Sequence, residues 1–98
     1  LNDIIHQPIR LRIMAALATL RPESHINFTT LRDILGLTDG NLSVHLRKLE
    51  EAGYVELSKS FINRKPQTFI ATTRAGREAF ARHVAALKAL LENTGESM

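Results

Sequence analysis

The sequence has no cysteine and no tryptophan, and only one of its 98 residues is tyrosine. Without cysteine the chain cannot form disulfides, cysteine-ligated zinc sites or a thiol nucleophile, and this absence fits a reducing compartment. No apolar run approaches the roughly 20 residues that a membrane-spanning helix needs. The first residues lack the basic flank and long apolar stretch of a signal peptide. We therefore expect a cytoplasmic protein with no membrane association.

Signatures of catalysis and of cofactor binding are also missing. The sequence has no glycine-rich phosphate loop, no nucleophile elbow and no spaced carboxylate pair. Ser43 and His45 diverge by about 200° on a helix, so they cannot form a catalytic dyad. The four histidines are far apart in the sequence and lack metal-ligand spacing: His6, His25, His45 and His83. The sequence predicts neither an enzyme nor a bound cofactor or metal.

The positive charge of the chain is concentrated in one segment. The net charge is +3, but residues 59–83 contain six Lys and Arg against one Glu, which gives +5, whereas residues 37–58 carry −2. A local basic segment points to a polyanionic partner such as nucleic acid. A solvated basic surface is the alternative that charge alone leaves open.

Hydrophobic periodicity predicts four helices, a very short strand and a hairpin. The predicted elements are a helix over residues 8–21, a short strand over 25–28, a helix over 29–35, a helix over 39–52, strands over 54–58 and 67–71, and a helix over 74–92 followed by a frayed tail. In the second helix, Leu31, Ile34 and Leu35 are expected to face the core. The predicted N-caps are Thr29, Thr38, and Thr72 or Thr73, and the predicted left-handed C-cap is Gly36.

This order specifies the fold class. Two short helices joined by a tight glycine turn are typical of a helix-turn-helix, which is expected over residues 29–52. The hairpin over residues 54–71 then forms a wing, with its tip at Asn63–Pro66 and Pro66 at a strand edge. We predict a single domain over residues 1–98 with a mostly helical α+β fold: a winged helix-turn-helix with a two-stranded β-wing and a C-terminal dimerisation helix.

The helix over residues 39–52 has the two faces that a recognition helix needs. Leu42, Leu46 and Leu49 cluster on one side and are expected to face the core. Over its first turns the opposite arc is mostly small, polar or basic, so that the backbone can approach a DNA groove and the side chains can contact bases and phosphates. Glu50 and Glu51 come later, where the helix is expected to leave the groove. Asn41 suits adenine edges, and Arg47 suits guanine or phosphate. The predicted contacts from this helix are Thr38, Asn41, Ser43, Val44, Arg47 and Lys48.

The hairpin tip is the second candidate DNA-binding element. Lys59, Arg64 and Lys65 have no acidic residue between them. A wing that presents Asn63, Arg64 and Lys65 beside a recognition helix would contact backbone phosphates or the minor groove. A solubilising loop is the alternative interpretation of this tip.

The first and last helices predict an interface between two copies of the chain. The first helix has a second apolar face, and the last helix has an apolar seam at i, i+4, i+7 and i+11. A domain this small has one core, so these surplus faces are expected to meet a second subunit. The predicted interface residues are Leu11, Met14, Phe80, Val84, Leu87 and Leu91. His83 interrupts the seam and is expected to be a partly exposed structural residue.

Two segments resemble a known family. They are residues 36–55, GLTDGNLSVHLRKLEEAGYV, and residues 72–80, TTRAGREAF. The first resembles the recognition segment of MarR/ArsR-type winged-helix transcriptional regulators, and the second resembles the run that follows the wing in that group. The resemblance, which extends from about residue 8 to residue 91, implies a homodimer that binds operator DNA, usually as a repressor. It implies contacts from Thr38, Asn41, Ser43, Val44, Arg47, Arg64 and Lys65.

The chain departs from the metal-sensing members, because it has neither cysteine nor clustered His and Asp residues, so metal sensing is not expected.

The leading hypothesis is sequence-specific binding of double-stranded DNA. The main alternative is a winged helix used for protein–protein assembly. An assembly surface is expected to carry large apolar or aromatic anchors, and the outward arc has only Val44. RNA binding is disfavoured by the lack of exposed-looking aromatics for base stacking. The sequence identifies no small-molecule effector.

Overall fold

The computed structural model describes residues 1–96, with the side chains of residues 1–93. The elements in chain order are α1 (Asp3–His6), α2 (Pro8–Ala18), β1 (Ile26–Asn27), α3 (Phe28–Leu35), α4 (Asp39–Glu51), β2 (Val55–Ile62), β3 (Lys65–Thr72) and α5 (Arg74–Glu96). This order confirms the predicted winged helix-turn-helix and adds α1. No helix in the described part of the chain is long and apolar enough to cross a membrane.

The helix that the sequence did not predict is α1. The side chain of Asn2 caps it by accepting a hydrogen bond from the backbone N–H of Ile5, at 3.0 Å. Ile5 is fully buried in the core. A helix of one turn is too short to show periodicity, so its sequence carries no helical pattern.

The first long helix, α2, ends earlier than predicted. Pro8 occupies its first turn as expected, and its last residue is Ala18 rather than Arg21. The Thr19 hydroxyl donates to the Ala16 carbonyl at 2.7 Å, and the Thr19 amide bonds to the same carbonyl. Such local bonds tighten the last turn and compete with continuation of the helix.

The turn between α3 and α4 has the predicted caps. Gly36 is left-handed, with φ +65°, and the Thr38 hydroxyl accepts from the backbone N–H of Asn41 at 3.2 Å. The N-cap of α3 is Asn27 rather than Thr29, because the Asn27 side chain accepts from the Thr29 amide at 2.8 Å. The expectation for Ile34 is wrong, since its side chain is 64% exposed. An eight-residue helix packs through a narrow stripe, here Leu31 and Leu35, and Ile34 lies beside it.

The sheet has three antiparallel strands in the order β1-β3-β2, of which β2 and β3 form the wing. They pair from Val55 with Thr72 out to Ile62 with Lys65. The tip is therefore the two-residue turn Asn63–Arg64, shorter than predicted. Pro66 lies in the part of β3 beyond its pairing with β1, on an open strand edge, where a missing N–H is tolerated.

The core is formed by one face of each helix and the inner ends of the strands. Leu42, Leu46 and Leu49 are fully buried, which confirms the predicted core face of α4. Met14 is also buried, with 1% of its surface exposed. Its assignment to an intersubunit face is therefore corrected, because α5 and the sheet fold back over that side of α2 and leave the Met14 side chain almost no surface to bury against a partner. The core consists of Ile5, Ile13, Met14, Leu17, Leu31, Leu35, Leu42, Leu46, Leu49, Val55, Ile70 and Ala79.

The start of α5 is attached to the base of the wing by the residues of the TTRAGR segment. The Thr73 hydroxyl accepts from the Gly76 amide at 2.9 Å and donates to the Gly53 carbonyl at 2.6 Å, so Thr73 is the N-cap of this helix. Arg77 donates to the Thr72 carbonyl at 3.1 Å. Gly76 packs directly against the backbone of Tyr54, so that an added Cβ would overlap the Tyr54 carbonyl oxygen. This segment therefore has a structural role.

His83 differs from its expectation, since it is only 2% exposed. Its Nδ1 accepts from the backbone N–H of Asn2 at 3.2 Å, and its ring meets the His6 ring edge-on with the ring centroids 5.4 Å apart. Burial and the nearby His6 lower the pKa of His83. The sequence placed it at a partly exposed position because the covering segment, residues 2–6, was not anticipated.

The far end of α5 extends past its predicted limit. The helix is continuous to Glu96, so the predicted tail is helical as far as that residue, and residues 97–98 lie outside the described residues. Adding residues to an existing helix costs far less than starting one, which lets a long helix continue through weak helix formers.

Two glycine substitutions test the contact between α5 and Tyr54. Gly76→Ala is expected to lower the free energy of unfolding by about 1–3 kcal/mol, because backbone must move to admit the methyl group. Gly40→Ala is the matched control, since a Cβ at this helical position meets nothing within 4 Å. It should raise the free energy of unfolding by up to about 1 kcal/mol. Urea unfolding at a fixed protein concentration measures both, and equal effects would contradict the close approach.

Candidate nucleic-acid interface

One face of α4 carries the predicted recognition residues to the surface. The leucine stripe on the opposite face holds the helix against the core, so its orientation is fixed. The six predicted residues all have exposed side chains: Thr38, Asn41, Ser43, Val44, Arg47 and Lys48. The exposed arc is thus mostly polar and basic, and the buried leucines on the opposite face hold the helix against the core. Their DNA contacts remain a prediction at this point.

The N-terminal turn of α4 is electrostatically balanced. The Asp39 carboxylate accepts from Arg32 of α3 at 2.7 Å, and Asp33 accepts from the same guanidinium at 2.9 Å. These ion pairs raise the pKa of Arg32. Because two carboxylates share Arg32, this side chain adds little to the positive field, which comes instead from Arg47, Lys48 and the wing.

A cleft of about 470 Å³ separates α4 from the wing. From α4 it is lined by Asp39, Ser43, Arg47 and Glu50, and from β2 and β3 by Leu57, Lys59 and Thr68. The sequence interpretation did not select Lys59 or Thr68 as contacts. The alternation of β2 carries a signal for Lys59, because Leu57, Lys59 and every second residue share one face of the strand. That this face turns toward α4 is decided by the fold.

The wing tip exposes all three of its predicted contacts, Asn63, Arg64 and Lys65. Asn63 and Arg64 have φ of +52° and +66°, as the two central residues of a type I′ hairpin turn require. Glycine is favoured at such positions, and a left-handed conformation costs other residues about 1–2 kcal/mol. An arginine is retained at the tip despite this cost. Two large apolar residues next to the tip, Phe61 and Ile62, are also exposed. The expectation that the chain exposes no aromatic side chain is therefore wrong, because Phe61 lies at the end of a hairpin that projects from the core.

His45 connects the inner edge of α4 to the N-terminal segment. Its Nδ1 lies 3.2 Å from the Arg10 guanidinium, which also donates to the Ile4 carbonyl. Partial burial and the Arg10 charge both lower the pKa of His45. The neutral ring therefore serves to position α4 and adds no positive charge to the exposed arc.

The residues predicted to form a subunit interface fall into three groups. Met14 belongs to the core, as described above. Leu11, Phe80, Val84 and Leu87 are half-buried. Leu91 is 71% exposed near the end of α5. The apolar seam therefore passes from the core of the chain onto a helix end that extends beyond it.

The geometry matches a family of known domains. A family model described as a winged helix DNA-binding domain matches residues 9–91. The chain belongs to this family. The match covers α2 from its second residue, α3, α4, the wing and most of α5, so it includes every element that carries a candidate contact.

Individual relatives agree with this assignment. The chain is 40% identical over 90 residues to the uncharacterized protein MJ0432 of Methanocaldococcus jannaschii, a match covering 92% of this chain and 95% of that protein. It is similar to the structure of a transcriptional regulator homologue from Pyrococcus horikoshii OT3, with a TM-score of 0.86, 33% identity and coverage of 95% and 89%. A structure assigned to the MarR family, from Enterococcus faecalis V583, has the same fold at 22% identity, a TM-score of 0.73 and coverage of 97% and 82%. The expected likeness to MarR-type winged helices is confirmed.

The conformational free energy that Arg64 loses by adopting a positive φ provides a test of the wing tip. Arg64→Gly should raise the free energy of unfolding by about 1 kcal/mol, since glycine adopts this conformation freely. The same change should weaken binding to duplex DNA, since it removes a cation from the tip. Urea unfolding and fluorescence anisotropy measure the two effects.

Arg64→Ala is the control for this substitution. It removes the same charge but keeps a side chain at the left-handed position, so it should weaken DNA binding to the same extent without the gain in stability. An Arg64→Gly protein with native affinity for DNA would show that the tip arginine is not a contact.

Proposed function

We propose that the protein is a sequence-specific, double-stranded DNA-binding transcription regulator that acts as a homodimeric repressor. The observation that carries this proposal is the juxtaposition of the exposed arc of α4 with a basic wing across one cleft. Membership of the winged helix DNA-binding domain family supports it. The similarity to the Pyrococcus horikoshii structure, which is that of a transcriptional regulator homologue, supports the regulatory role.

In this proposal α4 enters the major groove and reads bases. Asn41 and Ser43 supply amide and hydroxyl groups, and Val44 provides an apolar contact for a thymine methyl group. Arg47 lines the cleft and can reach either a guanine edge or a phosphate. Thr38 already uses its hydroxyl oxygen to cap the helix, by accepting from the backbone N–H of Asn41, and its O–H can still donate to a phosphate.

The wing then contacts the backbone beside the groove that α4 occupies. Arg64 and Lys65 at the tip, and Lys59 in the cleft, present three cations without an acidic residue between them. Such contacts supply affinity and set the register on the duplex, whereas base contacts supply specificity. Double-stranded DNA is thus the partner proposed for α4 and the wing, because both elements can contact the same duplex.

The homodimer is supported by the shape of α5. A helix of 23 residues is about 34 Å long. Among its residues up to 93, whose side chains are described, the buried ones, such as Ala79 and His83, lie in the first half of the helix. The chain is correspondingly elongated, with extents of 58 × 25 × 21 Å. A two-fold pairing through Val84, Leu87 and Leu91 would cover the apolar end of α5 and place two recognition helices on one side of a duplex. Repression is the mode that the family resemblance implies.

A winged helix used for protein assembly is the alternative function. Exposed Phe61 and Ile62 favour it, because assembly surfaces use large apolar anchors. The outward arc of α4 favours DNA, because it has Val44 as its one large apolar residue. Duplex binding by the isolated chain distinguishes the two functions.

Selection of bound fragments from the source genome tests the DNA-binding function. We expect enrichment of a roughly palindromic duplex with half-sites about one helical turn apart. Affinity should fall steeply with salt concentration, because bound Lys and Arg side chains release counterions. Arg47→Ala should weaken the selected duplex by about 10- to 100-fold and random DNA far less, whereas Arg64→Ala should weaken both alike and reduce the salt slope by about 1.

The charge-matched control is Arg82→Ala, which removes an exposed arginine from α5, outside the face formed by α4 and the wing. It should leave both affinities close to native. A flat salt response, or no enrichment of any fragment, would refute the DNA-binding proposal and favour the assembly module.

The dimer is tested separately. Replacing both Leu87 and Leu91 with Glu should give a monomer in sedimentation experiments at micromolar concentration, and DNA affinity should drop although α4 is unchanged. Ala89→Glu is the matched control, because residue 89 lies on the opposite side of the helix from both leucines. A native chain that sediments as a monomer would refute the dimer and leave monomeric DNA binding intact.

A further inference from the structure

The tip of the wing is apolar on both of its faces. Phe61 is 74% exposed and Ile62 is 48% exposed, and they are adjacent residues at the outer end of β2. Single exposed apolar side chains are ordinary on protein surfaces. Here, however, strand alternation sends the two side chains to opposite faces of the hairpin, and Pro66 lies directly across from Phe61. A surface that docks on a flat partner needs one apolar face, whereas an element that inserts into a groove benefits from two.

The direction of Phe61 follows from its neighbours on the same strand. Leu57, Lys59 and Phe61 alternate along one face of β2, and the first two line the cleft opposite Ser43 and Arg47. Phe61 therefore continues the cleft-facing side of the wing outward, beyond the end of α4. Any molecule bound along the cleft and α4 reaches Phe61 next.

The charge around the tip selects the partner. Lys59, Arg64 and Lys65 surround the apolar residues, and the sequence has no acidic residue between Glu56 and Glu78. An apolar tip in a cationic rim fits a polyanion whose interior is apolar. A DNA duplex has this character, because its phosphates lie outside and its stacked bases lie between them. Continuity with the α4 cleft favours DNA over an anionic lipid surface, which has the same two properties.

We propose that Phe61 is a wedge that inserts at a base step of the minor groove flanking the site occupied by α4, with Ile62 packing against the groove wall. This inference rests on the proposed DNA-binding function. The minor groove is only about 6 Å wide, narrower than a two-stranded hairpin, so only side chains at the tip can enter it. Apolar side chains inserted there partly unstack a step and kink the duplex.

A wedge makes a specific demand on DNA sequence. Pyrimidine–purine steps, such as TA and CA, unstack and kink more easily than others. The wing should therefore prefer such a step at a fixed distance from the bases read by α4, although no hydrogen bond from the wing would read it. Phe61 would then be a specificity-determining residue that acts through DNA deformability.

The experiment combines Phe61→Ala with a change in the DNA. The probe is the duplex selected from the genome, with 2-aminopurine placed in turn at each flanking step and with the preferred step replaced by AA. For the native protein we expect a rise in 2-aminopurine fluorescence at one step per half-site, and about tenfold weaker binding after the AA replacement. Phe61→Ala should abolish the fluorescence rise and reduce the penalty of the AA replacement to less than about twofold, while still binding the duplex.

Two variants control this comparison. Phe61→Leu keeps a large apolar tip and should retain most of the discrimination between steps. Ser60→Ala changes an exposed neighbour on the opposite face of β2 and should behave as native protein.

Every other outcome overturns the wedge. Equal step discrimination by native protein and Phe61→Ala, with duplex binding intact, would refute the wedge and leave the proposed function standing. Phe61-dependent binding to vesicles of anionic phospholipid, with unchanged DNA binding, would assign the tip to a lipid surface. Failure of the native protein to bind any duplex would refute the proposed function, and the wedge with it.

Discussion

The packing of one leucine stripe of α4 against the core is the interaction on which the rest of the interface depends. Leu42, Leu46 and Leu49 are fully buried, so the helix cannot rotate without exposing them. This constraint determines which side chains are left outside, namely a short polar arc followed by Arg47 and Lys48. Removing a buried leucine of this kind costs about 2–5 kcal/mol, a large share of the stability of a small domain. The make-up of the proposed recognition surface is thus a consequence of core packing.

The second constraint is the contact of α5 with the end of α4 and the base of the wing. The Tyr54 carbonyl accepts from the Thr73 amide and meets Gly76 directly, and Thr73 also bonds to Gly53. Three elements are therefore joined at one point by short bonds. This junction relates the position of the wing to that of α5. A dimer built through α5 would in this way set the spacing of two wings and two recognition helices.

The tip of the wing departs from what stability alone would favour. Its tip holds Arg64 in a conformation suited to glycine, and it exposes Phe61 and Ile62, whose burial would have been favourable. Local departures of this kind are expected where function has constrained a sequence. They are concentrated on the side of the wing that borders the cleft and at its outer end, which is where a duplex lying along α4 would pass.

The sequence by itself determined the order of the elements from α2 onward, the core face of α4, the caps at Gly36 and Thr38, and the basic character of the wing. These features are local, because periodicity, capping and charge are read from residues a few positions apart. Tertiary structure alone decided the burial of Met14 and His83, the exposure of Ile34 and the meeting of Arg47 with Lys59 across one cleft. Each of these depends on segments distant in the sequence, and on how much of a face its neighbours cover. No local pattern contains that information.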